Sequence, residues 1–309
     1  MTTLATAPAR SDKRTAYIYL ALNIAIGSVA FTFVKLALEQ LSPMGLAAGR
    51  VVMSALTYTV IVLRQPWRRT PIKPQHRMRV LLIGFGGSAL FHILFQWGQQ
   101  RTTVAMASVV MATMPALTAL GEVAFLGHRL HRHHVVGLAL TTVGCAVIGL
   151  AGGSSGHATM WGALAIGGST LVWAAVTVAT RSIAHEYDSW WLNTPGTLLG
   201  AVVMIGIEWP HLHEFVALSM KGWLLVIWLG SASSAFVYFA VARAMTALSA
   251  TTVMSLDSIV VPLSVMVGWV VLGTAPSLAD TIGGIVVIGG VLLVVHERAP
   301  ADGLSVTPL

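Results

Sequence analysis

GLALTTVGCAVIG at residues 137–149 and GGIVVIGGVLLVV at residues 283–295 decide the fold of this 309-residue chain. Both stretches are apolar and carry two glycines seven residues apart, Gly137 and Gly144 in the first, Gly283 and Gly290 in the second, so each pair is offset by 146. The offset recurs upstream: Lys35 and Arg181 differ by 146, Leu126-Gly127 and Leu272-Gly273 likewise, and Pro115 and Pro262 by 147. Landmarks in residues 16–151 thus return near residues 162–297, the signature of a duplicated unit.

Composition names the solvent of that unit. Hydrophobic residues make up 56% of the chain and charged residues 9%, with mean hydropathy +0.79, against roughly 45–50% and about 25% in soluble domains. About 20 apolar residues cross a bilayer as a helix, and ten segments qualify: 16–38, 43–63, 80–99, 103–126, 135–151, 161–180, 190–209, 221–242, 246–272 and 278–296. They lack the period-2 alternation of barrel strands, so they read as helices. The expectation is an all-α membrane protein of ten transmembrane helices in two five-helix repeats, residues 16–151 and 161–297, joined by 152–160 and flanked by tails 1–15 and 298–309. An odd number of spans per repeat inverts the second copy relative to the first, as in many transporters with a central cavity.

The pI near 10.1 and net charge of +7 follow from topology. Arg10, Lys13 and Arg14 precede the first span; Arg64, Arg68, Arg69, Lys73, Arg77 and Arg79 crowd the loop after the second; Arg129, Arg132, Arg181, Arg243 and Arg298 fall on the same side. Lys35, Arg101 and Lys221 lie opposite. The positive-inside rule makes the basic side cytoplasmic, with both termini there, in a bacterial-type inner membrane. No nucleic-acid partner is needed. Ser28-Val29-Ala30 resembles a signal-peptidase site, but the apolar run continues to Leu38 and reads as a span. A single cysteine, Cys145, excludes internal disulfides and thiolate clusters. His128, His131, His133 and His134 lack acidic or cysteine partners at ligand spacing, so no metal is expected. No nucleotide-binding motif appears, and no cofactor is expected.

The chain resembles a ten-span member of the drug/metabolite transporter superfamily, of the EamA type. The features are Gly27 and Trp173 each followed eight residues later by a cation, Lys35 and Arg181; Arg50 early in the second span; Ala107-Ser108 leading to Pro115; Ser231 to Ser234; and Ala250 leading to Pro262. Gly127-His128 and Gly273-Thr274 depart from the Gly-Glu that members often carry there. The resemblance implies that spans one to four and six to nine enclose the cavity while spans five and ten pack outside.

Intramembrane ionisable groups cost at least ~2.5–3.5 kcal/mol on insertion scales, so each is a candidate for function. Asp257, five residues before Pro262, can take a proton or bind an ammonium; its structural alternative is pairing, for instance with an arginine. Arg50, within Gly45-x-x-x-Gly49-Arg50, offers a fork to a carboxylate, or a structural pair with Asp257 or a helix-end carbonyl. His92 can relay protons or hydrogen-bond a solute, with Gln96 on the same face one turn on. Glu122 lies two turns below Pro115 and is expected to gate the inner mouth by pairing with Arg129 or a Lys/Arg of the next loop, or to sit as an interfacial carboxylate. Pro115 and Pro262 mark bends. Phe31, Met111, Trp173 and Tyr238 are candidate cavity walls.

The expected function is a secondary or facilitative carrier exporting small metabolites by alternating access, amino acids with bulky or aromatic side chains foremost. The solute carboxylate would meet Arg50 and its ammonium Asp257, with protons as a coupling ion. One alternative is a proton-coupled exporter of cationic drugs or quaternary amines. The other is an intramembrane enzyme, for which His92 with the serines of 231–234 is the sole candidate set, or a non-transporting scaffold. No catalytic residues are assigned, and the oligomeric state is left open.

Overall fold

The computed structural model describes residues 13–102, 107, 110–127, 131–151, 159–273 and 275–295. Among the described residues every regular element is helical. Nine helices are long and apolar enough to cross a membrane, and Val110–Leu126 is a shorter tenth. In chain order they are α1 (Lys13–Ala37), α2 (Pro43–Arg64), α3 (Pro74–Gln99), α4 (Val110–Leu126), α5 (Arg132–Ala151), α6 (Met160–Ile183), α7 (Ser189–Glu208), α8 (Met220–Ala244), α9 (Ala250–Asp257, resuming as Val260–Leu272) and α10 (Leu278–Val295).

Local chemistry sets the ends. Ser42, Thr159, Ser219 and Ser249 cap α2, α6, α8 and α9, each hydroxyl accepting a backbone N–H three residues on at 3.1 Å. The cap at Ser249 corrects the expected ninth span: residues 246–249 form a turn, and the helix opens at Ala250. Residues 13–15, assigned to the tail, are the first turn of α1, where cationic side chains keep their heads in water. The third span likewise opens earlier than 80, at Pro74.

The duplication is visible in three dimensions. The second parts of α4 and α9, Met114–Leu126 and Val260–Leu272, are offset by 146 and end on Gly127 and Gly273 with φ of 69° and 71°. That left-handed cap favours glycine because a Cβ would be strained there. Corresponding helices α3 and α8 are each wound as π-helix in mid-membrane, at Leu82–Leu90 and Ser231–Phe236.

Helices α5 and α10 settle how the copies are related. A Cβ added at Gly137 would stand 2.7 Å from the carbonyl oxygen of Gly290, and one at Gly144 would stand 2.7 Å from that of Gly283. Low numbers meet high numbers, so the helices run antiparallel. Gly137 and Gly283 are repeat equivalents, as are Gly144 and Gly290, so the contact is its own image under a twofold rotation. The repeats are therefore inverted. They also interlace: α1 packs on α8 and α9, and α6 makes the image contacts with α3 and α4, while α2 packs on α7. Helices α5 and α10 pack chiefly on each other, outside this bundle.

Candidate functional site

Arg50 projects from α2 toward α8. Its Nε and Nη2 donate to Ser234 Oγ at 3.3 and 3.2 Å, and that hydroxyl donates to the Leu229 carbonyl at 3.1 Å, reaching five residues back across the π-turn. The wide turn thus presents a serine oxygen to the guanidinium without spending a backbone bond. Nη1 has no hydrogen-bond partner among the described residues. The structural alternative of an Arg50–Asp257 pair is not adopted: the two groups do not touch, and each has its own partner.

His92, 5% exposed, lies within electrostatic reach of Arg50, and its Nδ1 has no hydrogen-bond partner among the described residues. Tyr238 of α8 lies within electrostatic reach of the same guanidinium. Its hydroxyl donates to the Gly87 carbonyl, 3.3 Å away in the π-wound part of α3. An aromatic chain crosses the bundle here, with Phe91 5.1 Å from Trp173 and Trp173 5.2 Å from Tyr238 between ring centroids. Beside it a narrow cleft is lined by Gly87, Trp173, Thr177, Thr180, Asn193 and Tyr238. Its basic end is sealed by a core that joins α1, α6, α8 and α9 through Ala16, Leu20, Ala184, Met245 and Val253. There the Arg181 guanidinium donates to the Met245 carbonyl.

Asp257 occupies a second place. It ends the first part of α9, and its Oδ1 accepts from Asn23 Nδ2 of α1 at 2.6 Å. The helix breaks directly after it. Pro262 cannot give an N–H to Ser258, and the Ser258 carbonyl accepts from Val261 at 3.1 Å instead, tightening the turn. Pro115 holds the matching position in α4, after a turn in which Thr113 N–H bonds the Val110 carbonyl at 3.1 Å.

Glu122 reaches a second helix. It is 1% exposed, and its carboxylate accepts the backbone N–H groups of Ala250 and Thr251 at 2.9 and 2.7 Å and the Thr251 hydroxyl at 2.5 Å. It is no interfacial carboxylate but the cap of α9, drawn there by unsatisfied N–H groups and the positive helix end. Arg129, its expected partner, lies outside the described residues, as do Ser108, His128 and Thr274.

The structure thus gathers Arg50, His92, Trp173 and Tyr238 into one group. Gln96 follows His92 by one turn on the same helix. Met111 stands apart, its sulfur 3.5 Å from the Thr170 hydroxyl. Phe31 is 60% exposed and joins no aromatic contact. Phe91, Asn23 and Asn193 were not singled out from the sequence; an amide inside an apolar span was the available signal for the two asparagines. Among the described residues no set of histidine, cysteine and acid side chains is placed to hold a metal.

An inverted ten-helix bundle with a cation inside it and an aromatic cleft between the repeats is an architecture found among membrane transporters. The chain belongs to the EamA-like transporter family, whose pattern matches it twice, over residues 14–150 and 160–296. It is 24% identical to a probable terminal-alkyne amino-acid exporter of Streptantibioticus cattleyicolor, over 89% of this chain and 91% of the relative. It is 25% identical to an uncharacterised transporter of Archaeoglobus fulgidus, over 91% of this chain and 99% of the relative. A solved crystal structure with 20% sequence identity superposes with a TM-score of 0.76, covering 92% of this chain and 97% of the other, a likeness of fold.

Proposed function

We propose that this transporter exports small zwitterionic metabolites, amino acids with bulky or aromatic side chains foremost, across the inner membrane by alternating access, with both termini cytoplasmic. The observation that carries the reading is Arg50, a guanidinium inside the bundle that bonds a neutral serine and no carboxylate among the described residues. A half-buried cation inside the bundle favours an anion, and its free Nη1 leaves a donor for a solute carboxylate. The rings of Phe91, Trp173 and Tyr238 offer an apolar wall for the side chain. The Streptantibioticus relative, named as an amino-acid exporter, supports the same class. Asp257 supplies the coupling charge. The test is uptake of a panel of labelled amino acids into proteoliposomes, with and without a pH gradient. Saturable flux of one class supports the reading; flux of quaternary amines alone, lost in Asp257→Asn and kept in Arg50→Ala, replaces it with a cationic-drug exporter.

A further inference from the structure

The repeat relation pairs the Asn23–Asp257 contact with a second contact on the other side of the bundle. At the offset of 146, Asp257 corresponds to Met111 and Asn23 to Ser169, the neighbour of Thr170, whose hydroxyl lies 3.5 Å from the Met111 sulfur. The first helix of each repeat therefore touches the fourth helix of the other within one residue of equivalent places, each a few residues before the proline break. One contact holds an amide and a carboxyl. Its image holds a hydroxyl and a thioether, neither of which titrates near neutral pH.

We infer that Asn23 is the positioning residue of a single proton site at Asp257, and that the Thr170–Met111 contact is where the other repeat lacks its counterpart. This rests on the carrier reading above. Asn23 is suited to both charge states. Toward the carboxylate it donates from Nδ2, as observed; when the carboxyl takes a proton, the same amide, turned about its last bond, accepts the acid O–H on Oδ1. The proton enters at the carboxyl oxygen from one face and leaves from it to the other, and no other bond changes. The link between α1 and α9 persists through protonation, while the charge that opposes movement of the broken helix through the apolar bundle disappears. The α6–α4 contact has no such term, so coupling is confined to one of the two inverted halves, at one proton per cycle.

The ionisable groups described on the elements around the first part of α9 are engaged elsewhere. Among elements packed around the first part of α9, Tyr19 of α1 stacks edge-on against Phe239, Glu122 of α4 holds the start of α9, Arg181 of α6 bonds the Met245 carbonyl, and Asp280 of α10 accepts from Ser277. Asn23 is the hydrogen-bond partner of Asp257 among the described residues.

The experiment has two arms on the purified full chain. In the first, pH-difference infrared spectra record the carbonyl stretch of a protonated carboxylic acid. The band should be present in wild type, absent in Asp257→Asn, displaced in Asn23→Leu and undisturbed in Thr170→Val. This arm needs no solute. In the second, proteoliposomes carrying an internal pH dye are loaded with labelled leucine or phenylalanine. Asp257→Asn should lose proton movement with net flux. Asn23→Leu should move the midpoint of the pH–flux profile upward by roughly one unit, through loss of a donor that favours the carboxylate, with KM within about twofold; Thr170→Val should leave the midpoint in place. An Asp257→Asn spectrum that keeps the band, an Asn23→Leu band identical to wild type, or a Thr170→Val shift as large as that of Asn23→Leu overturns the inference. A correct band pattern without amino-acid flux overturns the solute class and leaves the proton site standing.

Discussion

Gly289 and Gly290 are neighbours in α10 that differ in what they face, and they test the inverted arrangement with one methyl group each. A Cβ at Gly289 meets nothing within 4 Å, whereas one at Gly290 would lie 2.6 Å from the Gly137 carbonyl oxygen and 2.7 Å from the Thr141 backbone nitrogen. Ordinary contact begins at 3.4 Å, so the shortfall at Gly290 is 0.8 Å, and it is against backbone that no rotamer change relieves. Helices α5 and α10 must separate along the contact that relates the repeats. Overpacking of this kind costs roughly 1–3 kcal/mol. Replacing a helical glycine by alanine returns roughly 0.5–1 kcal/mol, but that term is common to both variants and cancels between them. Gly290→Ala should therefore be less stable than Gly289→Ala by about 1–3 kcal/mol. Thermal unfolding in detergent micelles, followed by tryptophan fluorescence, should place its Tm several degrees lower. Equal Tm values, or a lower Tm for Gly289→Ala, would mean that α10 turns a different face to α5, and the twofold relation built on that contact would fall with it.

Three further outcomes are expected. Arg50→Lys keeps the charge and loses the fork; a hydrogen bond to a charged group is worth roughly 1.5–3 kcal/mol, so KM for the transported solute should rise about tenfold or more, and an unchanged KM removes Arg50 from the solute site. Glu122→Gln leaves one acceptor oxygen where two now serve Ala250 and Thr251 and removes the charge at the start of α9; a loss of roughly 1–2 kcal/mol is expected, and an unaltered Tm would show the cap to be dispensable. At the basic end, the Lys73 ammonium 2.6 Å from Glu186 holds that carboxylate below its ordinary range. The pair contributes above the unfolded carboxylate value and is lost as pH falls through the lower folded one, so the Tm difference between wild type and Lys73→Met should shrink as pH falls below the ordinary carboxylate range and vanish once Glu186 is protonated in the folded protein; a difference that persists there is not this ion pair.

The fold was legible where the determining quantity is local. Apolar length and the absence of period-2 alternation gave the spans, and the recurrence of Gly137 and Gly144 at Gly283 and Gly290 gave the repeat. Seven residues are two helical turns, so both glycines of a pair fall on one face whatever the rest of the chain does. The start of α9 was misjudged because Thr246, Ala247 and Leu248 suit a helix by composition, whereas the capping hydroxyl of Ser249 decides where the helix begins.

The site was legible only in its ingredients. The sequence by itself determined that Arg50, His92, Glu122 and Asp257 lie inside or beside apolar spans, because the cost of burying a charge depends on its immediate surroundings. Only the tertiary structure decided their partners: Ser234 for Arg50 across 184 residues, Asn23 for Asp257 across 234, and the start of α9 for Glu122 across 128. Those pairings follow from how the helices of two inverted repeats cross. A crossing is fixed by the packing of many side chains together, which no single stretch of sequence carries.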